Sequence, residues 1–201
     1  MHPDTRAQIL TEAEAVVRRV GYAGFSYADL AERVGIRKPS IHHHFPAKED
    51  LGAALVETYT DRFTEALDDI AAASRDAPER LDAYAGLYRA GLQAGQGCLC
   101  GVLASELAGL PERVRAGVRR FFEVNAAWLA TVIAEGQAVG SIRAHGDAQS
   151  QAAAVLAGLE GAMLVARPYG GIESFRATAA GLLSGLHGLP HADAAAEPRP
   201  A

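Results

Sequence analysis

The chain has 201 residues, 49% of them hydrophobic and 21% charged, with a formal net charge of -5; this composition excludes a disordered or membrane-embedded chain and suffices to bury a sizeable core. The longest apolar stretch, residues 152–166, is shorter than the ~20 residues that span a bilayer and carries Glu160 within it, so no membrane partner is expected. Cys98 and Cys100 lie too close together to frame a fold and are too few to complete a structural zinc site, which leaves two free thiols.

The N-terminal sequence MHPDTRAQIL lacks a basic region followed by an apolar core, so a cytoplasmic location is expected. Charge is unevenly divided. Residues 1–50 hold seven basic and seven acidic side chains, so the net negative charge falls on the remaining 151. Both lysines of the chain, Lys38 and Lys48, share one short window with Arg37 and three histidines. A local basic cluster binds phosphate even on an acidic protein, because screening at physiological salt limits distant charges to ~8 Å.

Ile9, Ala13, Val16, Val17 and Val20 recur at helical spacing over residues 5–20, and Gly21 ends this first helix. Ser26-Tyr27-Ala28-Asp29 opens a second as a capping box, with Asp29 in place of the usual Glu or Gln, and Gly35 closes it. A third is predicted at 37–45, with Pro39 in its first turn, where the missing N–H has no intrahelical partner, and with Pro46 as its stop. Residues 48–73 form a long fourth helix whose apolar side is Leu51, Leu55, Tyr59, Phe63, Leu67 and Ile70. After a loop at 76–78, helices are predicted at about 79–95, 101–109, 112–138, 148–167 and 172–187, with no competing strand pattern. The reading is an all-α chain of about nine helices. It divides into a three-helix head at 1–47, a larger helical body at 48–187 and a tail at 188–201 expected to be disordered.

A short helix, a glycine turn and a second short helix let one helix brace across the DNA backbone while the next enters the major groove. The helix after Gly35 presents Arg37, Lys38, Ser40, His42 and His43, all with donors for phosphate or base edges, while Ile41 and Phe45 face inward. The bland alternative for this cluster is a solvated polar face. Adjacent helical residues point ~100° apart, so His42, His43 and His44 do not converge on one ion; no metal and no cofactor is expected.

The residues Gly21-Tyr22, Asp29-Leu30-Ala31, Val34-Gly35-Ile36 and Pro39-Ser40-Ile41-His42-His43-His44-Phe45-Pro46-Ala47-Lys48-Glu49-Asp50-Leu51 resemble the TetR family of one-component regulators. The resemblance covers about residues 5–51. It implies a homodimer bound to a palindromic site on double-stranded DNA, with the third helix in the major groove. By the same resemblance, Ser26, Tyr27, His42 and Lys48 match positions that touch phosphates, and Arg37, Lys38, Ser40 and His43 match positions that reach base edges or neighbouring phosphates. At His42 the family usually has tyrosine, whose phenol is longer than an imidazole.

The resemblance further implies that the body senses a small-molecule effector and dimerises through its last two helices. Val155, Leu159 and Met163 on the eighth helix, and Phe175, Leu182 and Leu186 on the ninth, are the candidate interface stripes, although such stripes serve equally as internal core. Effector pockets are apolar with a few polar groups, and the seventh helix offers Phe121, Phe122 and Trp128 interrupted by Asn125. Glu106, Asn125 and Glu160 are the candidate polar anchors, each also readable as an ordinary surface or interface residue.

The segment Gly97-Cys98-Leu99-Cys100-Gly101-Val102-Leu103 resembles a stretch in a TetR subgroup that includes regulators sensing electrophiles or oxidants through a cysteine, which Cys98 matches. A thiolate at a helix start is activated by the helix dipole, whereas an unpaired cysteine elsewhere is a small buried hydrophobe. Three functions follow: a repressor released by an effector, a repressor modified at Cys98, and an enzyme pairing Cys98 with a histidine base. The last is weakest, since His145 and His187 fall at a turn and a helix end, and the chain is expected not to be an enzyme.

Overall fold

The computed structural model describes residues 5–169 and 171–187; the tail at 188–201 lies outside them. The helical periodicities become α1 (Thr5–Val20), α2 (Tyr27–Val34), α3 (Lys38–His44), α4 (Lys48–Ala73), α5 (Ala77–Gln93), α6 (Leu99–Ser105), α7 (Glu112–Ala138), α8 (Ala148–Ala166) and α9 (Ile172–Ser184). Among the described residues the β-structure is a single bridge between Ile142 and His187.

Two helix starts lie two residues before the expected ones, for local reasons. α5 begins at Ala77 because the Asp76 carboxylate accepts the Glu79 N–H at 2.9 Å, and Pro78 fits the first turn. α6 begins at Leu99 because Cys98 takes the N-cap, its sulfur accepting the Gly101 N–H at 3.4 Å; a short 3-10 turn over Leu107–Gly109 covers the rest of the predicted segment.

α1, α2 and α3 form the head, and α1 also packs on α4 and α6. In the body α7 is the central helix, flanked by α4, α5, α6 and α8, with α9 closing against α5 and α8. One apolar core runs through both parts, from Ile9 and Ile41 to Phe121 and Phe175. The α4–α7 crossing is tight where Gly117 faces Val56: a Cβ there would lie 2.9 Å from a valine methyl.

The turn that aims α3 depends on Gly35, which adopts the left-handed conformation (φ 73°, ψ 31°), while the following Ile36 N–H bonds the Ala31 carbonyl at 3.0 Å. A Cβ on Gly35 would touch nothing within 4 Å, so the cost of Gly35→Ala is conformational. We expect a loss of about 1 to 2 kcal/mol, read as a lower urea midpoint at unchanged m-value.

Candidate nucleic-acid interface and ligand cavity

α3 has no side-chain cap at Arg37; burial of Ile41 and Phe45 sets its position instead. Arg37, Lys38, Ser40, His42 and His43 all stand exposed on it. The structure therefore gathers a cluster of hydrogen-bond donors on one short solvent-facing helix, as contact with phosphates and base edges requires. The His42 Nδ1 lies 3.2 Å from the Pro46 carbonyl and its ring meets Tyr27 edge-on at 4.8 Å, so the elbow into α4 orients this imidazole.

Tyr27 departs from expectation. It is 7% exposed, and its hydroxyl donates towards the carbonyls of Phe45 at 2.9 Å and Ala47 at 2.7 Å. Burial, with Asp50 nearby, pushes the phenol up to about 12. Tyr27 is thus the brace of the α3–α4 elbow, its hydroxyl committed to two carbonyls.

Two other expected phosphate contacts carry structural bonds. The exposed Ser26 hydroxyl donates to Asp29 at 2.8 Å and accepts its N–H at 3.3 Å, completing the capping box and holding the Asp29 carboxyl below its usual range. The Lys48 ammonium donates to the Phe25 carbonyl at 2.6 Å and sits 4.2 Å from the Phe25 ring and 4.8 Å from that of Tyr22. Partial burial lowers the pKa of this lysine, which ties the loop after α1 to the start of α4.

Glu106 is not a cavity anchor. Its carboxylate leaves the body and accepts the Tyr22 N–H at 3.2 Å and the Ala23 N–H at 3.0 Å, both in the turn that follows α1. At the other end of α6, Arg18 of α1 donates to the Gly97 carbonyl at 2.6 Å and pairs with Glu14 at 2.9 Å. The segment from Gly97 to Glu106 is therefore bonded to the head at both ends.

Between α6, α7 and α8 lies a cavity of about 690 Å³, lined by Cys98, Val102, Phe122, Leu156, Glu160 and Met163 among others, with Arg167 also on its wall. Of the residues expected at a pocket, Phe122 and Glu160 stand on its wall with Cys98. Phe121, Asn125 and Trp128 do not line it. Phe121 is fully buried against Tyr59 and Phe63, and Trp128 stacks on Tyr84 at 5.6 Å. Asn125 accepts the Tyr84 hydroxyl at 2.9 Å and donates to the Phe121 carbonyl at 2.8 Å. The Tyr84 hydroxyl lies 3.3 Å from that of Tyr88, which donates to Glu160 at 3.2 Å. Tyr84 and Tyr88 belong to none of the motifs in the sequence; their four-residue spacing on α5 is the signal that marks a shared face.

Cys98 caps α6 and lines this cavity, yet its thiol is not the dipole-activated thiolate that the sequence suggests. The residue is 5% exposed, and burial, reinforced by the nearby Glu160 carboxylate, pushes the thiol up well above its usual range. Burial likewise raises Glu160. His145 and His187 flank the opposite end of α8, the latter in the bridge to Ile142, so neither stands beside Cys98 as a base.

The expected dimer stripes also turn inward. Val155, Leu159, Met163 and Phe175 are buried within the protomer, Leu182 packs over Gly158, and Leu186 is half-buried with its carbonyl bonded to Arg143. Among the exposed residues of α8, Ala153, Ala157 and Leu164 line the cavity, whereas Ala154 and Val165, the latter 53% exposed, do not. Among the described residues no helix is long and apolar enough to cross a membrane.

The role of Tyr27 is open to a direct check. Tyr27→Phe removes the hydroxyl that bridges two carbonyls of the elbow, and we expect about 1 to 3 kcal/mol lower stability in urea titration.

Comparison with known proteins places these features. The family model for bacterial regulatory proteins of the tetR family matches residues 9–55, and the tetracyclin repressor-like C-terminal domain matches residues 77–182. The transcriptional regulator AcuR of Cereibacter sphaeroides is 32% identical over 153 residues, 73% of this chain and 69% of that protein. The HTH-type transcriptional repressor NemR of Escherichia coli is 29% identical over 174 residues, 82% of this chain and 84% of its own. A TetR-family regulator from Agrobacterium tumefaciens superposes with a TM-score of 0.88 at 36% identity, covering 91% of this chain and 97% of that one. The chain belongs to the TetR family of DNA-binding transcriptional regulators.

Proposed function

We propose that this regulator is a homodimeric repressor that leaves a palindromic operator when a small molecule occupies the cavity between α6, α7 and α8. In this reading residues 1–47 contact DNA and residues 48–187 sense and dimerise. The observation that carries it is the double attachment of α6: Arg18 to the Gly97 carbonyl, and Glu106 to the Tyr22 and Ala23 amides. α6 is a wall of the cavity, so a ligand that displaces it acts on the head directly. Half-sites one helical turn apart, ~34 to 36 Å, tolerate little change in the spacing of two heads. The name of the relative NemR, a transcriptional repressor, supports repression as the sign of the effect.

The dimer in this proposal uses the exposed side of α8 at Ala154 and Val165 in place of the buried stripe. Val165→Glu is expected to sediment as a 21.1 kDa monomer and to lose its operator affinity; a stable dimer in this variant would move the interface elsewhere. For operator binding, a gel shift on DNA flanking the gene is the test, with a salt-sensitive complex on a palindrome expected. Lys38→Ala should flatten the plot of log K against log salt by about 1 and relax sequence preference. Absence of any complex at low salt without ligand would sink the proposal.

A covalent signal at Cys98 is the second reading, favoured by the position of its sulfur on the cavity wall beside Glu160. Cys98→Ser is expected to keep operator binding and to lose release by electrophiles.

A further inference from the structure

Two donors point at the Cys98 sulfur, and a carboxylate lies beside it. The Gly101 N–H approaches it at 3.4 Å and the Tyr59 O–H at 3.7 Å, both as donors, while Glu160 lines the same cavity, so that a Cβ added at Gly101 would lie 3.4 Å from the Cys98 Cβ and against Glu160 Oε2. Glu160 is held in place by the Tyr88 hydroxyl at 3.2 Å. α6 and α8 approach this closely because residue 101 is glycine: a Cβ there would collide with Glu160 Oε2. All of this opens on the apolar cavity of about 690 Å³.

A buried thiol that surrenders its proton to water leaves a second negative charge beside Glu160 in a poorly polarisable interior, which is why it stays protonated. Surrendering the proton to Glu160 conserves the charge of the pair, and the two donors aimed at sulfur are already positioned to stabilise a thiolate. We propose that Glu160 is the proton acceptor that makes Cys98 a nucleophile towards small apolar α,β-unsaturated carbonyl compounds. The inference rests on the covalent reading of Cys98 and adds to it a base and a ligand class.

The step balances without an oxidant. The thiol proton passes to Glu160, a sulfur electron pair forms the bond to the β-carbon, and the alkene pair shifts to give an enolate. The proton on Glu160 then returns to the α-carbon. The product is a thioether, and the carboxylate is regenerated. Val102, Phe122, Leu156 and Met163 supply an apolar seat for the carbon skeleton.

Groups around the pair are Tyr59 from α4, Tyr84 and Tyr88 from α5, Cys100 from α6, Glu123 from α7 and Arg167 after α8, with Arg18 and Glu14 of α1 behind Tyr59 and Cys100. Burial pushes the three tyrosines and Cys100 upward, away from neutral pH.

The test is the rate of adduct formation at Cys98 in the full chain with 2-cyclohexen-1-one, followed by peptide mass spectrometry between about pH 6 and 9. In the native protein the rate should level off once Glu160 is ionised and stay nearly flat above neutrality. Glu160→Gln should be about 100-fold slower at neutral pH and should rise about ten-fold per pH unit, as a thiol without an internal base does. Glu160→Asp, which keeps a shorter carboxylate, should recover part of the rate together with the plateau, and it carries the test if circular dichroism shows Glu160→Gln unfolded. Equal rates and profiles in native protein and Glu160→Gln, an unreactive Cys98 in the native protein, or a Glu160→Asp profile without a plateau would each overturn the assignment. Because the readout is the adduct, a protein that forms it and still holds its operator upholds the role of Glu160 while removing Cys98 as the signal.

Discussion

The attachment of one seven-residue helix to the head governs how the two parts of this molecule communicate. When α1 ends, the amides of Tyr22 and Ala23 have no helical partner, and the carboxylate of Glu106 at the end of α6 supplies both. Gly21 makes this possible by adopting φ 81° and by leaving the space that a Cβ would take from Glu106. At the start of α6 the Gly97 carbonyl is taken by Arg18, whose guanidinium also lies over the Tyr59 ring. The head cannot rotate against α6 without breaking hydrogen bonds at one end or the other.

The interior of the body explains why its cavity lies to one side. Tyr59, Phe63, Tyr84, Tyr88, Phe121, Trp128 and Phe175 interlock ring against ring and fill the centre. Their hydroxyls are not stranded, because the chain from Asn125 through Tyr84 and Tyr88 to Glu160 gives each buried polar group a partner. What remains open is the space between α6, α7 and α8, where small residues such as Ala126, Ala153, Ala157 and Gly161 leave room. The carboxylate at the end of the polar chain faces that space, and so does the Cys98 thiol.

Local rules account for the parts of this structure that were legible beforehand. The capping box at Ser26, Gly35 after α2 and Pro39 inside α3 act within a few residues, so the reading head and the exposure of Arg37, Lys38, Ser40, His42 and His43 were readable from the chain alone. The roles of Tyr27, Lys48 and Glu106 were not, because each is decided by a backbone group distant in sequence: Tyr27 by Phe45 and Ala47, Lys48 by Phe25, Glu106 by Tyr22 and Ala23. That the stripe on α8 is buried within its own protomer was hidden for a related reason. Apolar spacing says that a helix buries one face, not whether that face meets its own chain or another.

The sequence by itself determined the all-helical class, the order and approximate limits of the helices, and the chemistry displayed on α3, since these follow from periodicity, capping and residue type. Tertiary structure alone decided which polar side chains became internal ties and which reached the cavity. It also decided the state of Cys98: a helix start favours a thiolate, but near-complete burial beside a carboxylate outweighs that field and keeps the thiol protonated. Desolvation depends on everything packed around a group, and no stretch of sequence contains that information.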